Sequence, residues 1–152
     1  MLVADVMTPA CVADTSDETL RASAARMWLH QTGSLLVVEG GRLAGILTER
    51  DILRAVALGK DVDVTVAGDV MSRDVLTVEP ETPLYEAARV MASRWIRHLP
   101  VIDGGRVAGV VSLRDLAAVL AALGPASRDV SLPADDLVRS LRLARIEAGD
   151  LD

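Results

Sequence analysis

The chain has 152 residues, an apolar fraction of 51%, a charged fraction of 25% and a formal net charge of −6. This length and composition suit one ordinary domain with a sizeable core, and the acidic balance argues against a dedicated nucleic-acid-binding protein. The single cysteine, Cys11, excludes an intramolecular disulfide and fits a reducing compartment.

The N-terminus predicts no secretory signal, because Asp5 interrupts it before any apolar region of useful length. The longest apolar run is Leu116 to Leu123, eight residues. A membrane-spanning helix needs roughly 20 residues. We therefore expect a cytoplasmic protein with neither a membrane nor a nucleic acid as partner.

The first half of the chain predicts strand, helix, strand, strand and helix. A short opening segment (2–7) and an extended piece (11–13) precede a helix that Thr15 or Ser16 can cap and that runs through Leu20, Ala24, Met27 and Trp28. Two strands (35–39 and 43–47) flank Gly40-Gly41, a dipeptide suited to a tight hairpin with positive φ. A second helix (49–58) is predicted to end at Gly59.

The second half predicts the same order of elements. An opening segment (66–71) and an extended piece (75–78) precede a helix with Pro83 at its first position. Two strands follow around Gly104-Gly105, and a final helix is predicted over 113–123. Helical spacing predicts core positions for Met27, Met91, Trp28 and Trp95.

These two halves are an internal repeat with an offset of 64 residues. Residues 35–51 return as 99–115, and of these 17 pairs nine are identical and six are like-for-like exchanges. Leu36/Pro100 and Glu49/Leu113 are the two exceptions within that stretch. The repeat predicts a first unit over 2–60, a linker over 61–65, a second unit over 66–124 and a C-terminal tail over 125–152 that can form a helix.

The pairs Thr48/Asp51 and Ser112/Asp115 are the most informative polar residues. Each follows a predicted strand and opens a helix, where backbone N–H groups and the helix dipole attract anions. A hydroxyl there can reach a phosphate, and a carboxylate three residues later can hold ribose hydroxyls. The same spacing is also an ordinary helix capping box that needs no ligand, and spacing alone favours that interpretation.

Two in-register copies of a Met-Thr or Met-Ser opening, an apolar strand before Gly-Gly, and a G-x-x-[Ser/Thr]-x-x-Asp ending resemble a tandem pair of CBS domains, a Bateman module. The resemblance covers about residues 2–123. It implies an α/β (α+β) fold in which two pseudo-twofold-related β-α-β-β-α repeats form one module. It also implies a non-catalytic sensor that binds an adenosyl ligand, namely AMP, ADP, ATP or S-adenosylmethionine, in the cleft between the repeats.

The resemblance further implies two ligand sites, each mixing the closing motif of one repeat with the opening strand of the other. Site A would comprise Ile46, Thr48, Asp51, Val75, Leu76, Arg97 and His98. Site B would comprise Cys11, Val12, Thr32, Gly33, Val110, Ser112 and Asp115. In each site the Asp would hold the ribose, the Thr or Ser the phosphate, and the opening strand would cover the adenine.

The two implied sites differ in charge. Arg97 and His98 in site A suit phosphates, whereas the equivalent positions in the first repeat are Gly33 and Ser34. We therefore expect site A to prefer phosphorylated nucleotides, and site B to be weaker, empty, or occupied by a less anionic ligand. Arg50 and Arg114, inside the helix openings, can add charge to either site or simply face solvent.

The resemblance also implies a homodimer, with Trp28 and Trp95 as an alternative interface pair if they are not in the core. Beside the repeats we expect no enzyme or channel domain for them to regulate, so any output is expected to act on an unknown protein partner. A ligand-independent structural dimerisation module is the first alternative. A nucleotide hydrolase using Asp51 or Asp115 is disfavoured, because no metal-ligand set accompanies them in the sequence.

Overall fold

The computed structural model describes residues 1–9 and 12–123, so Cys11 and the predicted tail (125–152) lie outside the described residues. Residues 1–117 form one compact unit, which contains the first repeat and most of the second, and residues 118–152 form a second unit. A short 3₁₀ turn, Val3–Asp5, opens the chain. The elements that follow are β1 (Thr8–Pro9), β2 (Ala13–Asp14), α1 (Leu20–His30), β3 (Ser34–Glu39), β4 (Arg42–Thr48), α2 (Glu49–Ala57), α3 (Ala67–Val70), α4 (Leu84–Arg94), β5 (His98–Asp103), β6 (Arg106–Ser112) and α5 (Leu113–Leu123).

The strands form two three-stranded sheets, one in the order β2-β3-β4 and the other in the order β1-β6-β5. The hairpins β3-β4 and β5-β6 are antiparallel and turn at Gly40-Gly41 and Gly104-Gly105, all four of which have positive φ. The predicted hairpins are therefore confirmed. Glycine suits these turns because it reaches positive φ without steric cost.

The opening segment of each repeat crosses to the sheet of the other repeat. β1 pairs with β6, with Thr8 opposite Val110, and Ser72 forms the equivalent bridge to Ile46. The chain then returns to its own repeat, where β2 runs parallel to β3 and Val78 pairs with Val101. The two repeats are thus interlocked by backbone hydrogen bonds and together form one module.

Gly45 and Gly109 make this crossing possible. A Cβ atom on Gly45 would lie 2.6 Å from Met71 Sδ and 2.7 Å from the Ser72 carbonyl oxygen. A Cβ atom on Gly109 would lie 2.6 Å from the Thr8 carbonyl oxygen. No side chain fits at these distances, so the glycine of each G-x-x-[Ser/Thr]-x-x-Asp segment is required by the close approach of the opening segment.

The starts of two helices differ from the predictions. α1 is capped by Thr19, whose hydroxyl accepts from the backbone N–H of Ala22, because Thr15 instead donates to Asp17 and Ser16 contacts Glu39. α4 begins at Leu84, one residue later than predicted, with Pro83 as its N-cap. α2 begins at Glu49 as predicted, and Gly59 follows with a φ of +74°.

The core confirms the predicted methionines and corrects the predicted tryptophans. Met27 and Met91 are buried, whereas Trp28 is 80% exposed and Trp95 is 41% exposed. The prediction that both tryptophans lie in the core is wrong. Trp28 directly follows the buried Met27 on α1 and therefore falls on another face of that helix, and Trp95 lies just beyond the end of α4 with a φ of +55°.

A polar cluster is buried only in the first repeat among the described residues. Asp14 is 2% exposed and accepts a hydrogen bond of 2.5 Å from the Ser23 hydroxyl. Arg26 completes the cluster by an ion pair with the Asp14 carboxylate. The buried charge is therefore fully partnered, as burial of a carboxylate requires.

Candidate ligand-binding cleft

A large cavity of about 1080 Å³ is lined by residues of both repeats. Its volume lies slightly above the range typical of small-molecule sites. The first repeat contributes Thr8, Val12, Ala24, Met27, Trp28, His30, Gln31, Thr32, Gly33, Ser34, Glu49 and Ile52. The second contributes Arg97, His98, Val110, Ser112, Leu113, Arg114, Asp115 and Ala117.

The two helix openings form complete capping boxes with the same geometry. The backbone N–H and the hydroxyl of Thr48 each donate to Asp51 Oδ2 at 2.7 Å, and the Asp51 N–H donates back to the hydroxyl at 3.3 Å. The corresponding distances for Ser112 and Asp115 are 2.7, 2.7 and 3.4 Å. Both pairs therefore act as caps without a ligand, which is the interpretation that spacing alone favoured.

Capping leaves part of each carboxylate available. Among the described residues, the hydrogen bonds of Asp51 and Asp115 use Oδ2 and none uses Oδ1. A carboxylate has about four lone-pair positions, so Asp115 can keep its cap and still accept hydrogen bonds from the hydroxyls of a ligand.

Every described residue of predicted site B lies on the wall of this cavity. These residues are Val12, Thr32, Gly33, Val110, Ser112 and Asp115, drawn from both repeats. The crossing of the opening segment explains how residues of the two repeats meet, because β1 pairs with β6, the strand that leads into α5. Cys11, the remaining member, lies outside the described residues.

Predicted site A is not gathered in the same way. Ile46, Thr48, Asp51 and Leu76 line neither of the two cavities described. Val75 lines a separate cavity of about 310 Å³, together with Arg42, Leu43, Arg73, Thr77, Ile102 and Gly105. The neighbours of Thr48 and Asp51 that do reach the large cavity are Glu49 and Ile52, on the same first turn of α2.

The structure places Arg97 and His98 on the wall of the cavity that Ser112 and Asp115 line, whereas the prediction placed them with Thr48 and Asp51, which line neither cavity described. The physical reason is strand register: His98 lies directly opposite Ser112 in the β5-β6 hairpin, and the Arg97 carbonyl accepts from the backbone N–H of Leu113. Both residues are therefore fixed beside the start of α5, within their own repeat.

Arg97 also reaches across the cleft to the first repeat. Its Nη2 donates to Glu49 Oε1 at 3.1 Å, and both side chains are about half exposed. Arg114 is a second cation on the cavity wall and has no ion pair among the residues that the structure describes. With Glu49 and Asp115 opposing these two arginines, the formal charges of the cavity wall cancel.

His98 is a neutral group of the cavity at pH 7. Its pKa is lowered below the ordinary 6.5, first by burial and then by the charge of Arg97, although Glu49 and Asp115 act in the opposite direction. Neutral imidazole is both a donor and an acceptor of hydrogen bonds. Arg97 and Arg114 are therefore the fixed positive charges of the cavity.

Sequence reasoning missed Glu49 as a member of the cavity. A signal was present, because Glu49/Leu113 is one of the two mismatches within residues 35–51 and 99–115. Its partner occupies another unequal position, with Arg97 in one repeat and Gly33 in the other. Divergence between repeats thus marked both ends of the cross-cleft ion pair.

Neither a membrane helix nor a metal cluster is found in the described ranges 1–9 and 12–123. The longest helices there, of 11 residues, are too short to cross a bilayer. No group of three or more His, Cys, Asp or Glu side chains in those ranges is arranged to hold a metal ion.

The sequence profile of the CBS domain matches this chain twice, over residues 3–58 and 67–122. The chain belongs to the CBS-domain family. The resemblance inferred from the two repeats is thereby confirmed, as is the α/β fold of paired repeats.

Among its relatives, the CBS domain-containing protein YhcV of Bacillus subtilis is 39% identical over 116 residues, covering 76% of this chain and 82% of YhcV. For three further relatives, the matched region covers between 52% and 62% of the relative's own length.

Two solved CBS structures similar to this chain contain adenosyl compounds. The CBS domain pair of protein MJ0100, in complex with 5′-methylthioadenosine and S-adenosyl-L-methionine, has a TM-score of 0.75 and 27% identity, covering 80% of this chain and 97% of that one. The protein PAE2072 of Pyrobaculum aerophilum, complexed with AMP, has a TM-score of 0.74 and 29% identity, covering 81% and 98%.

Proposed function

We propose that this chain is a regulatory module that binds an adenosyl ligand, such as AMP, ADP, ATP or S-adenosylmethionine, in the large cavity between its two repeats. The single observation that carries the proposal is the cavity wall itself. It combines the Ser112/Asp115 helix opening with the opening segment of the other repeat and with Arg97. The adenosyl compounds bound by two similar CBS pairs support the ligand class.

Each part of this wall suits one part of an adenosyl ligand. Asp115 would accept from the ribose hydroxyls through Oδ1, which its capping bonds leave available. The start of α5 and Arg97 would attract the phosphate, since helix N-termini and guanidinium groups both favour anions. Val12 and Val110 offer apolar surface to the adenine.

In this proposal the Thr48/Asp51 opening, with Ile46, Val75 and Leu76, is the secondary site. Its capping geometry matches that of Ser112/Asp115, but Arg97 and His98 line the cavity together with the other opening. This assignment reverses the preference expected from the sequence, where Arg97 and His98 were assigned to site A.

The output proposed is regulation of a protein partner in trans, without catalysis by this chain. A ligand shifts an equilibrium between two arrangements only through different affinities for them. Because the repeats exchange opening segments, a ligand between them contacts both and can favour one arrangement. A homodimer, a cytoplasmic location and the absence of nucleic acid and membrane partners stay predictions.

Thermal unfolding with a ligand panel tests this function. The protein is heated with AMP, ADP, ATP or S-adenosylmethionine, as wild type, Asp115→Ala and Asp51→Ala. Ligand at about 100 times its Kd stabilises the native state by roughly 2.7 kcal/mol, which raises Tm by about 5–10 °C for a chain of this size.

The two variants are matched, because each removes a cap of the same geometry at a cost of about 1 kcal/mol. The quantity compared is therefore the increase in Tm caused by ligand. We expect that increase to be lost in Asp115→Ala and kept in Asp51→Ala. Loss only in Asp51→Ala would move the ligand to the secondary site, and no increase with any ligand at millimolar concentration would contradict the proposal.

A second candidate function is a ligand-independent structural dimerisation module. Complete capping boxes without ligand favour it, as do exposed apolar side chains on α1 and α2, where Trp28 is 80% and Leu53 is 68% exposed. Analytical ultracentrifugation of wild type and Trp28→Glu, each with and without AMP, separates the two functions. A dimer that depends on Trp28 and is indifferent to every ligand would support the structural function.

A further inference from the structure

The ion pair between Arg97 and Glu49 joins two positions at which the repeats differ. The pseudo-twofold equivalent of Arg97 is Gly33, and that of Glu49 is Leu113. The reciprocal pair is therefore impossible, and the cleft carries one such bridge at this pair of equivalent positions. Arg97 Nη2 lies 3.1 Å from Glu49 Oε1.

Gly33 provides the space for this carboxylate. A Cβ atom on Gly33 would lie 3.3 Å from the carboxyl carbon and from Oε2 of Glu49, and 3.4 Å from Oε1. The Glu49 carboxyl group thus lies between the backbone of its own repeat and the guanidinium group of the other. Both residues and Gly33 belong to the cavity wall.

Glu49 occupies two features that would otherwise attract an external anion. It is the first residue of α2, where the positive end of the helix dipole lies. Its carboxylate also pairs with the Arg97 guanidinium group, which would otherwise be available to bind a phosphate. Without a ligand, the Glu49 carboxylate therefore occupies the position beside Arg97 that the phosphate of a ligand would take.

We propose that Glu49 is a specificity-determining residue that competes with the phosphate of a ligand for Arg97. This inference rests on the proposed function and adds the basis on which the cavity selects among adenosyl ligands. A ligand with several negative charges has to displace Glu49 or lie beside it, and like charges repel in that position. Glu49 thus disfavours ATP relative to AMP and to the cationic sulfonium of S-adenosylmethionine.

Isothermal titration calorimetry with ATP, AMP and S-adenosylmethionine tests this role in the full chain. Glu49→Gln keeps the shape of the side chain and removes its charge. Because an exposed ion pair contributes modestly, we expect ATP affinity to rise about three- to tenfold, AMP affinity to rise less, and S-adenosylmethionine affinity to stay within about twofold. Glu49→Leu, which copies position 113, is expected to give the same order.

Two further variants make the test specific. Glu81→Gln changes net charge equally at an exposed position that lies outside both described cavities, and is expected to leave all three affinities unchanged. In an Arg97→Gln background, Glu49→Gln is expected to give no gain for ATP, because the competition no longer exists. Thermal unfolding of each variant verifies that it is folded.

The inference is overturned if Glu49→Gln leaves ATP affinity unchanged, or if the gain is equally large without Arg97 or in Glu81→Gln. In those cases wild-type binding of AMP would leave the proposed function standing. Failure of the wild type and all variants to bind any of the three ligands would instead overturn the proposed function, and this inference with it.

Discussion

The two repeats have the same strand register but fill one equivalent position in opposite ways. Asp14 pairs with Val37 in the first repeat exactly where Val78 pairs with Val101 in the second. The partners of Asp14, which are Ser23 and Arg26, correspond to Ala87 and Val90. An ionic cluster in one repeat and apolar residues in the other therefore occupy equivalent positions of the same fold, so the fold itself does not require the buried charge.

A second difference lies in the cleft, where the charged residues are unevenly divided. Arg97 and His98 of the second repeat are equivalent in the alignment to Gly33 and Ser34 of the first, and Leu113 of the second is equivalent to Glu49 of the first. The helix caps are unchanged between the repeats, at 2.7 Å for both hydroxyl-to-carboxylate bonds. The differences at positions 33, 49 and 97 thus lie in residues that line the cavity, which is where ligand selection would act.

The largest effect expected from this comparison follows from breaking the buried cluster. Asp14→Ala leaves the Ser23 hydroxyl without its acceptor and removes the buried carboxylate partner of Arg26, which keeps only the Ala13 carbonyl and Glu18. We expect the free energy of unfolding to fall by about 2–4 kcal/mol, measured by urea denaturation.

The triple variant Asp14→Val, Ser23→Ala and Arg26→Val copies the second repeat and is the matched control. We expect its unfolding free energy to lie within about 1 kcal/mol of wild type or above it, because apolar replacement of a whole buried ion pair is often neutral or stabilising. A triple variant as unstable as Asp14→Ala would show that the two solutions are not interchangeable.

A smaller effect is expected from filling the space at the crossing segments. Gly45→Ala and Gly109→Ala each force a Cβ atom against a backbone carbonyl at 2.7 and 2.6 Å. We expect each to lower the free energy of unfolding by about 1–3 kcal/mol in urea denaturation. Gly33→Ala, which meets only the flexible Glu49 side chain, should cost less. Equal costs at all three glycines would argue against the interlocked arrangement.

The smallest effect expected concerns His98, whose equivalent in the first repeat is Ser34. Burial lowers the pKa of His98, so the unfolded chain binds a proton more readily than the folded chain does. Stability should therefore be constant above about pH 6.5, the unperturbed value, and should fall as the pH drops below it. NMR titration of the imidazole should give a midpoint below 6.5.

Glu49→Gln sharpens this measurement, because the charge of Glu49 raises the pKa of His98 against the effect of burial. The midpoint should move further down in that variant. A midpoint above 6.5 in the wild type, or an upward movement in Glu49→Gln, would contradict the described surroundings of His98.

Much of the fold could be predicted because the chain repeats its own pattern. The Gly-Gly turns, the strands around them and the helices after Thr48 and Ser112 follow from local residue chemistry, and each appears in the structure. The alignment of the two repeats also indicated that they pair with each other to form one module. Local signals of this kind do not depend on which strand lies beside which.

The exchange of opening segments and the composition of the cavity depended on pairings that local patterns do not specify. The register of His98 with Ser112 decides which helix opening His98 and Arg97 lie beside, and Thr8 pairs with Val110, about 100 residues later in the chain. The exposure of Trp28 could not be predicted either, because helical spacing shows which residues share a face of the helix but not what that face contacts. Unequal positions in the repeats, such as Glu49/Leu113, were the available signal.

A crystal structure of the chain grown with saturating AMP tests the central claim most directly. The account predicts nucleotide density in the cavity between the repeats, with the ribose at Asp115 and the phosphate beside Arg97. The ion pair between Arg97 and Glu49 is expected to be broken in that structure. Density at Thr48 and Asp51 alone, or a cavity without nucleotide at a concentration that saturates binding in solution, would contradict it.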